Sequence, residues 1–196
     1  MSGGPVYNLA MPTSRTLPRR DLLALAALLA ATPSAPHALA PMVPAAGHPG
    51  DFDFLTGSWR IRHRRPKTDG SWDEFDGEAT CWSVLGGAGH VEELRIPARD
   101  FSGLGIRLLD PGTSRWNDVW INGKARVLEG GPGLTGVFED GVGTFTATET
   151  AGGVTTIVRG VWDRITPTSH RWRQGASKDG GRTWTEDWFM DWTRVR

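Results

Sequence analysis

The sequence predicts an all-β protein: an antiparallel, up-and-down β-barrel of about 8–10 strands. Three observations lead there. Short runs of alternating apolar and polar residues recur along the chain, cut at short spacing by Gly, Pro, Asp and Asn, with no convincing helix-period segment between them. Ten tryptophans stand beside one tyrosine. Trp184, Glu186, Trp188, Met190 and Trp192 share one parity near the end of the chain, so a strand of period 2 would turn all five to one side. Closure into a barrel removes exposed sheet edges, which favours it over an open sandwich, the competing architecture.

The chain has 196 residues and zero formal net charge. Residues 1–46 read as an export signal followed by an Ala/Pro-rich tether. Arg19-Arg20 precede Asp21-Leu22-Leu23 and the apolar run from Ala24 to Ala31. That run is shorter than the roughly 20 apolar residues of a stable membrane span. The paired arginines match a twin-arginine signal, with the general secretion signal as alternative. Met11 is an alternative start, and Ala40 and Ala45 end two candidate cleavage sites. The expected address is therefore the bacterial periplasm or the extracellular medium. The remaining residues, 47–196, are enough for one barrel domain with its own core.

Cys81 is the only cysteine, so a disulfide framework is excluded and a small buried thiol is expected. Balanced charge gives no electrostatic footprint for nucleic acid.

The strands follow in order. Ser58 to Arg65 alternates, with Trp59, Ile61 and His63 facing one way and Arg60, Arg62 and Arg64 the other; the stripe of Arg60, Arg62, Arg64 and Arg65 reads as a solvated face. Trp72 to Leu85 follows, with Gly77 as a bulge or close-packing point. Next come His90 to Ile96, Leu104 to Leu109, and Arg115 to Ile121. Leu134 to Glu139 and Val142 to Ala147 flank Asp140-Gly141, a hairpin turn signal. Val154 to Trp162, Ser169 to Ser177 and Thr183 to Arg194 complete the set.

The opening Asp51-Phe52-Asp53-Phe54-Leu55-Thr56-Gly57-Ser58-Trp59 places two phenylalanines where they can plug a barrel end. This segment resembles the entry motif of a bacterial lipocalin-like family of unknown function in the calycin superfamily. Gly105 to Pro111, Trp116, Trp120, Gly136 with Phe138, Arg159 with Trp162, Trp172-Arg173-Gln174 and Ser177 to Trp184 extend the resemblance over nearly all of the domain. It implies a small barrel with a central cavity and imports no activity.

Arginines within apolar strands are the candidate chemistry. Arg107, Arg159 and Gln174 would supply polar contacts in a cavity walled by Trp120, Trp172 and Trp188, with Glu92 and Glu186 balancing charge. Such a set suits a small, partly apolar molecule, an anion among the candidates. The competing reading is an internal salt-bridge network that fixes strand register. An acid–base enzyme using His63 or His90 with Glu92 is a second alternative. A haem barrel of the nitrobindin type, with His63, His90 or His170 proximal, is a third. No catalytic triad or metal-ligand spacing is present, and no cofactor is expected. Ser177 to Trp184 also matches the Asp-box of sialidase-like propellers, but a single copy in a short domain reads as a structural hairpin.

Overall fold

Ten antiparallel strands run up and down and close on themselves in a computed structural model that describes residues 45–127 and 133–196. The export leader falls almost wholly outside these residues. The strands are β1 (Gly57–Pro66), β2 (Trp72–Val84), β3 (Gly89–Ile96), β4 (Phe101–Asp110), β5 (Arg115–Asn122), β6 (Leu134–Glu139), β7 (Val142–Ala151), β8 (Val154–Asp163), β9 (Ser169–Ser177) and β10 (Thr185–Arg194). Each pairs with its sequence neighbours, and β1 pairs with β10 to seal the barrel. The Asp140-Gly141 turn has positive φ at both residues, 49° and 77°, as a tight hairpin requires.

One end of the barrel is plugged by the segment preceding β1. Phe52 is buried against Trp116, Phe138, Phe145 and Trp162, mostly edge to face. Hydrogen bonds hold the plug. Trp116 Nε1 donates to Asp51 Oδ2 at 2.9 Å and Trp59 Nε1 to the Leu55 carbonyl at 2.6 Å. From the end of β10, Arg194 donates to the carbonyls of Thr56 and Phe54 at 2.6 and 2.9 Å. Trp59, Trp162 and Trp192 fill the same end, around His170.

The period-2 pattern decides which residues point inward, and cross-strand register makes it checkable. Trp59, Ile61 and His63 face the interior, as expected, and Arg62 pairs outside with Glu74 and Asp76. Gly77 is a close-packing point without a bulge. A Cβ there would stand 2.5 Å from His63 Nε2 and 3.0 Å from the Arg95 carbonyl. Cys81 is buried, and burial pushes its thiol above the usual range.

Two expectations about direction fail. In β10 the register shifts between Glu186 and Trp188: Glu186 sits opposite Gly175, whereas Trp188 sits opposite Gln174. This bulge reverses the alternation. Trp188, Met190 and Trp192 face inward, and Glu186 faces outward. In β8 the inward set is Val158, Gly160 and Trp162, so Arg159 also faces outward.

Candidate functional site in the barrel interior

Arg107 is the polar centre of the interior. Its Nη2 donates to Glu92 Oε2 at 2.8 Å, and its Nε lies 3.3 Å from Asp118 Oδ1. Register explains the meeting: Arg107 is the direct partner of His90 on β3 and of Asp118 on β5, and Glu92 lies one inward step away, opposite Gly105. Gly105 keeps that space open, since a Cβ there would stand 3.2 Å from Arg107 Nη2. The guanidinium lies over the rings of Phe52 (5.2 Å) and Trp162 (5.0 Å), so the cluster rests directly on the plug.

Two carboxyls face one guanidinium. Burial raises both the Glu92 and the Asp118 carboxyl, and Arg107 only partly opposes it. Burial works against the Arg107 charge, but Asp118 and Glu92 outweigh it and hold the guanidinium protonated. Arg107 Nη1 is buried and has no hydrogen-bond partner among the described residues. A buried donor left unpaired costs about 1–3 kcal/mol, so an acceptor placed there would be favoured.

Aromatic rings lead from this cluster to the other end of the barrel. Trp162 contacts Trp172 at 6.4 Å, Trp172 contacts Trp188 at 6.1 Å, and Trp188 Nε1 donates to His63 Nδ1 at 3.1 Å. His63 stacks on Phe75 at 4.7 Å. Trp172 and Trp188 are half-buried. Trp120 lies over Gly103, stacked beside Phe101, and remains 44% exposed. Gln174 faces inward but spends its amide on Asp187, at 3.2 Å. Arg65, read as part of the outer stripe, instead reaches over the Trp188 ring at 4.6 Å.

Arg107, Glu92, Trp120, Trp172, Trp188 and Gln174 therefore share the interior. Arg159 and Glu186 do not. They pair with each other on the outer wall, where Glu186 also takes Arg173 and Arg173 takes Asp163. Arg159 stacks on Trp184 at 4.0 Å. Asp118 was not anticipated. Its signal was present: it shares parity with Trp116 and Trp120, a carboxylate between two tryptophans on one strand face.

The three buried histidines are held neutral. Burial, then Arg107, lowers His90 to about 3; burial, then Arg107 and Arg194, lowers His170 to about 3. Burial, then Arg99, lowers His63 to about 4. None of them bonds a carboxylate, so the geometry provides no imidazole–Glu92 pair for acid–base work. Among the described residues no group of three or more His, Cys, Asp or Glu could hold a metal ion. Two surface depressions, of about 760 and 430 Å³, lie over β1–β2–β10 and β6–β7; most of their lining side chains face outward. The Ser177 to Trp184 segment is a structural hairpin: Asp179 accepts from the Thr183 amide and hydroxyl, and Trp184 Nε1 donates to the Gly181 carbonyl.

Strand order and closure define the class, a closed, ten-stranded, antiparallel up-and-down barrel. No family model and no curated protein matches the chain. Among solved structures it is similar to the S-type phycobiliprotein lyase CPES from Guillardia theta, with a TM-score of 0.43 and 12% identity over 74% of this chain and 90% of that one. It is similar to Rv2717c from M. tuberculosis, with a TM-score of 0.43 and 12% identity over 74% and 98%. A DUF3598-family protein of unknown function from Nostoc punctiforme gives a TM-score of 0.43 and 13% identity over 79% of this chain and 53% of that one.

Proposed function

We propose that this chain is an exported small-molecule-binding barrel, whose ligand enters at the end opposite the Phe52 plug and meets Arg107 at the floor. The observation that carries the reading is Arg107 itself. A buried guanidinium with an unpaired Nη1, set beneath partly exposed tryptophans, matches a mostly apolar pocket with one directed polar contact. Trp172, Trp188 and Trp120 would form the walls. Gln174, with Nε2 held by Asp187, would offer its Oε1.

Charge narrows the ligand. Glu92 and Asp118 already match Arg107, so an added carboxylate would enter a site with no spare positive charge. A neutral, planar molecule with a carbonyl oxygen fits better than an anion: its rings lie against the tryptophans and its oxygen accepts from Nη1. Export rests on the Arg19-Arg20 leader alone.

Native mass spectrometry of the protein purified from the exporting cell, with an absorbance scan, tests the reading. A co-purified neutral aromatic mass is the expected result. A Soret band would replace it with haem. No bound mass, together with tryptophan emission unmoved by any aromatic carbonyl compound, would overturn it.

A further inference from the structure

His63 is fully buried on β1, its ring stacked on Phe75 at 4.7 Å with 6° between planes. Trp188 Nε1 donates to its Nδ1 at 3.1 Å. An indole nitrogen can only donate, so Nδ1 carries a lone pair and the neutral imidazole keeps its proton on Nε2. Nε2 has no hydrogen-bond partner among the described residues and faces Gly77, where a Cβ would stand 2.5 Å away.

Two guanidiniums lie beyond these rings. Arg99 covers the Phe75 ring at 3.5 Å, and Arg65 covers the Trp188 ring at 4.6 Å. The nearby carboxylates are bonded elsewhere: Asp73 to Arg99, Asp187 to Gln174, and Asp76 to Arg62. Burial first, then Arg99, against the smaller effect of Asp76, lowers the imidazole to about 4.

We infer that His63 is the positioning residue of the outer lumen: its lone pair holds Trp188 in the wall at neutral pH, and protonation there frees Trp188 and releases the ligand. The inference rests on the proposed binding function. A protonated imidazole carries N–H at both nitrogens, so at Nδ1 a donor would face the indole donor. The new charge would also lie one ring away from Arg65 and one ring away from Arg99. Trp188 is half-buried and can turn toward the mouth, which removes the edge-to-face partner of Trp172. The liganded barrel keeps His63 neutral and the free barrel does not, so affinity falls as pH drops through the free-state value.

Two readouts test the inference: the indole N–H resonance of Trp188, assigned by its loss in Trp188→Phe, and calorimetric affinity for 1-acetonaphthone at pH 6 and pH 3.5. In the wild type the resonance is expected to shift with a midpoint near 4. Affinity should fall roughly fourfold, the fraction of neutral His63 lost over that interval. His63→Asn keeps an acceptor near the Nδ1 position and cannot titrate, so both changes should vanish. Trp188→Phe keeps a ring without the donor and should likewise lose the His63-linked fall, which decides the matter should His63→Asn not fold. A resonance that does not titrate overturns the inference, and so does an affinity loss equal in wild type and both variants. A circular dichroism spectrum that collapses above pH 4 also overturns it, since release would then be unfolding. A wild type that binds no ketone at pH 6 overturns the binding function and with it the release step, while the resonance still reports separately on the His63–Trp188 bond.

Discussion

Glu92 and Arg107 lie on neighbouring strands with their charged groups 2.8 Å apart and side chains 3% and 5% exposed. Removing one partner alone strands the other charge in the interior. Arg107→Met is expected to lower unfolding free energy by about 3–5 kcal/mol. The triple variant Arg107→Met/Glu92→Gln/Asp118→Asn removes all three charges with little change in volume, and is expected to be near neutral or more stable than the single variant. Urea denaturation of both measures the difference. Equal losses would mean that the cluster is not a coupled unit.

The neutral histidines make stability depend on pH. His170 has a folded-state value of about 3 against about 6.5 for an unfolded histidine. Between those values the unfolded chain binds a proton that the folded chain does not. Stability is therefore intact above pH 6.5 and falls as pH drops through the window. Phenylalanine would suit the aromatic surroundings of His170 and cannot titrate. His170→Phe is expected to flatten the acid-side slope by about 1.4 kcal/mol per pH unit. Glu92 and Asp118, raised by burial, act in the opposite sense, so the difference between variant and wild type is the quantity to measure. Parallel curves would show that His170 is not buried neutral.

Two interior glycines should respond differently to alanine. At Gly136 a Cβ would run into the Thr144 carbonyl and the Phe145 Cα, which are backbone and cannot step aside. At Gly103 it would meet the Trp120 ring, which is 44% exposed and can swing away, and the Ile121 carbonyl at 2.9 Å, a milder backbone contact than those at Gly136. Gly136→Ala is expected to cost about 3 kcal/mol or more. Gly103→Ala is expected to cost less and to red-shift tryptophan emission. Thermal melts with emission spectra check both.

Arg19→Lys/Arg20→Lys is expected to leave the precursor in the cytoplasm, as a twin-arginine route requires. Fractionation followed by immunoblotting reads the outcome. Unchanged export would assign the leader to the general pathway.

The ten strands were legible because alternating runs recur and Gly, Pro, Asp or Asn punctuates most of the gaps between them. The plug was legible from Phe52 and Phe54 before Gly57. Direction was not always legible. The bulge beside Asp187 leaves no mark in sequence, yet it turns Glu186 outward while Trp188 stays inside. Arg159 misled for another reason: Ile157 and Val161 share its parity, and an apolar outer face mimics an inner one. Asp118 is visible in the sequence as a carboxylate between Trp116 and Trp120 on one strand face, but its match to Arg107 shows only once register is known.

The most direct test of the proposed luminal site is calorimetric titration of wild type and of the Arg107→Met/Glu92→Gln/Asp118→Asn variant with 1-acetonaphthone and 1-naphthoate. The two probes share their rings and differ in charge. The wild type should bind the ketone more tightly than the carboxylate, and the triple variant should lose about tenfold to a hundredfold in ketone affinity, as loss of a hydrogen bond from a charged donor implies. Tighter binding of naphthoate would leave the lumen as the site but contradict a neutral ligand. Equal ketone affinity in wild type and variant would contradict Arg107 as the anchor.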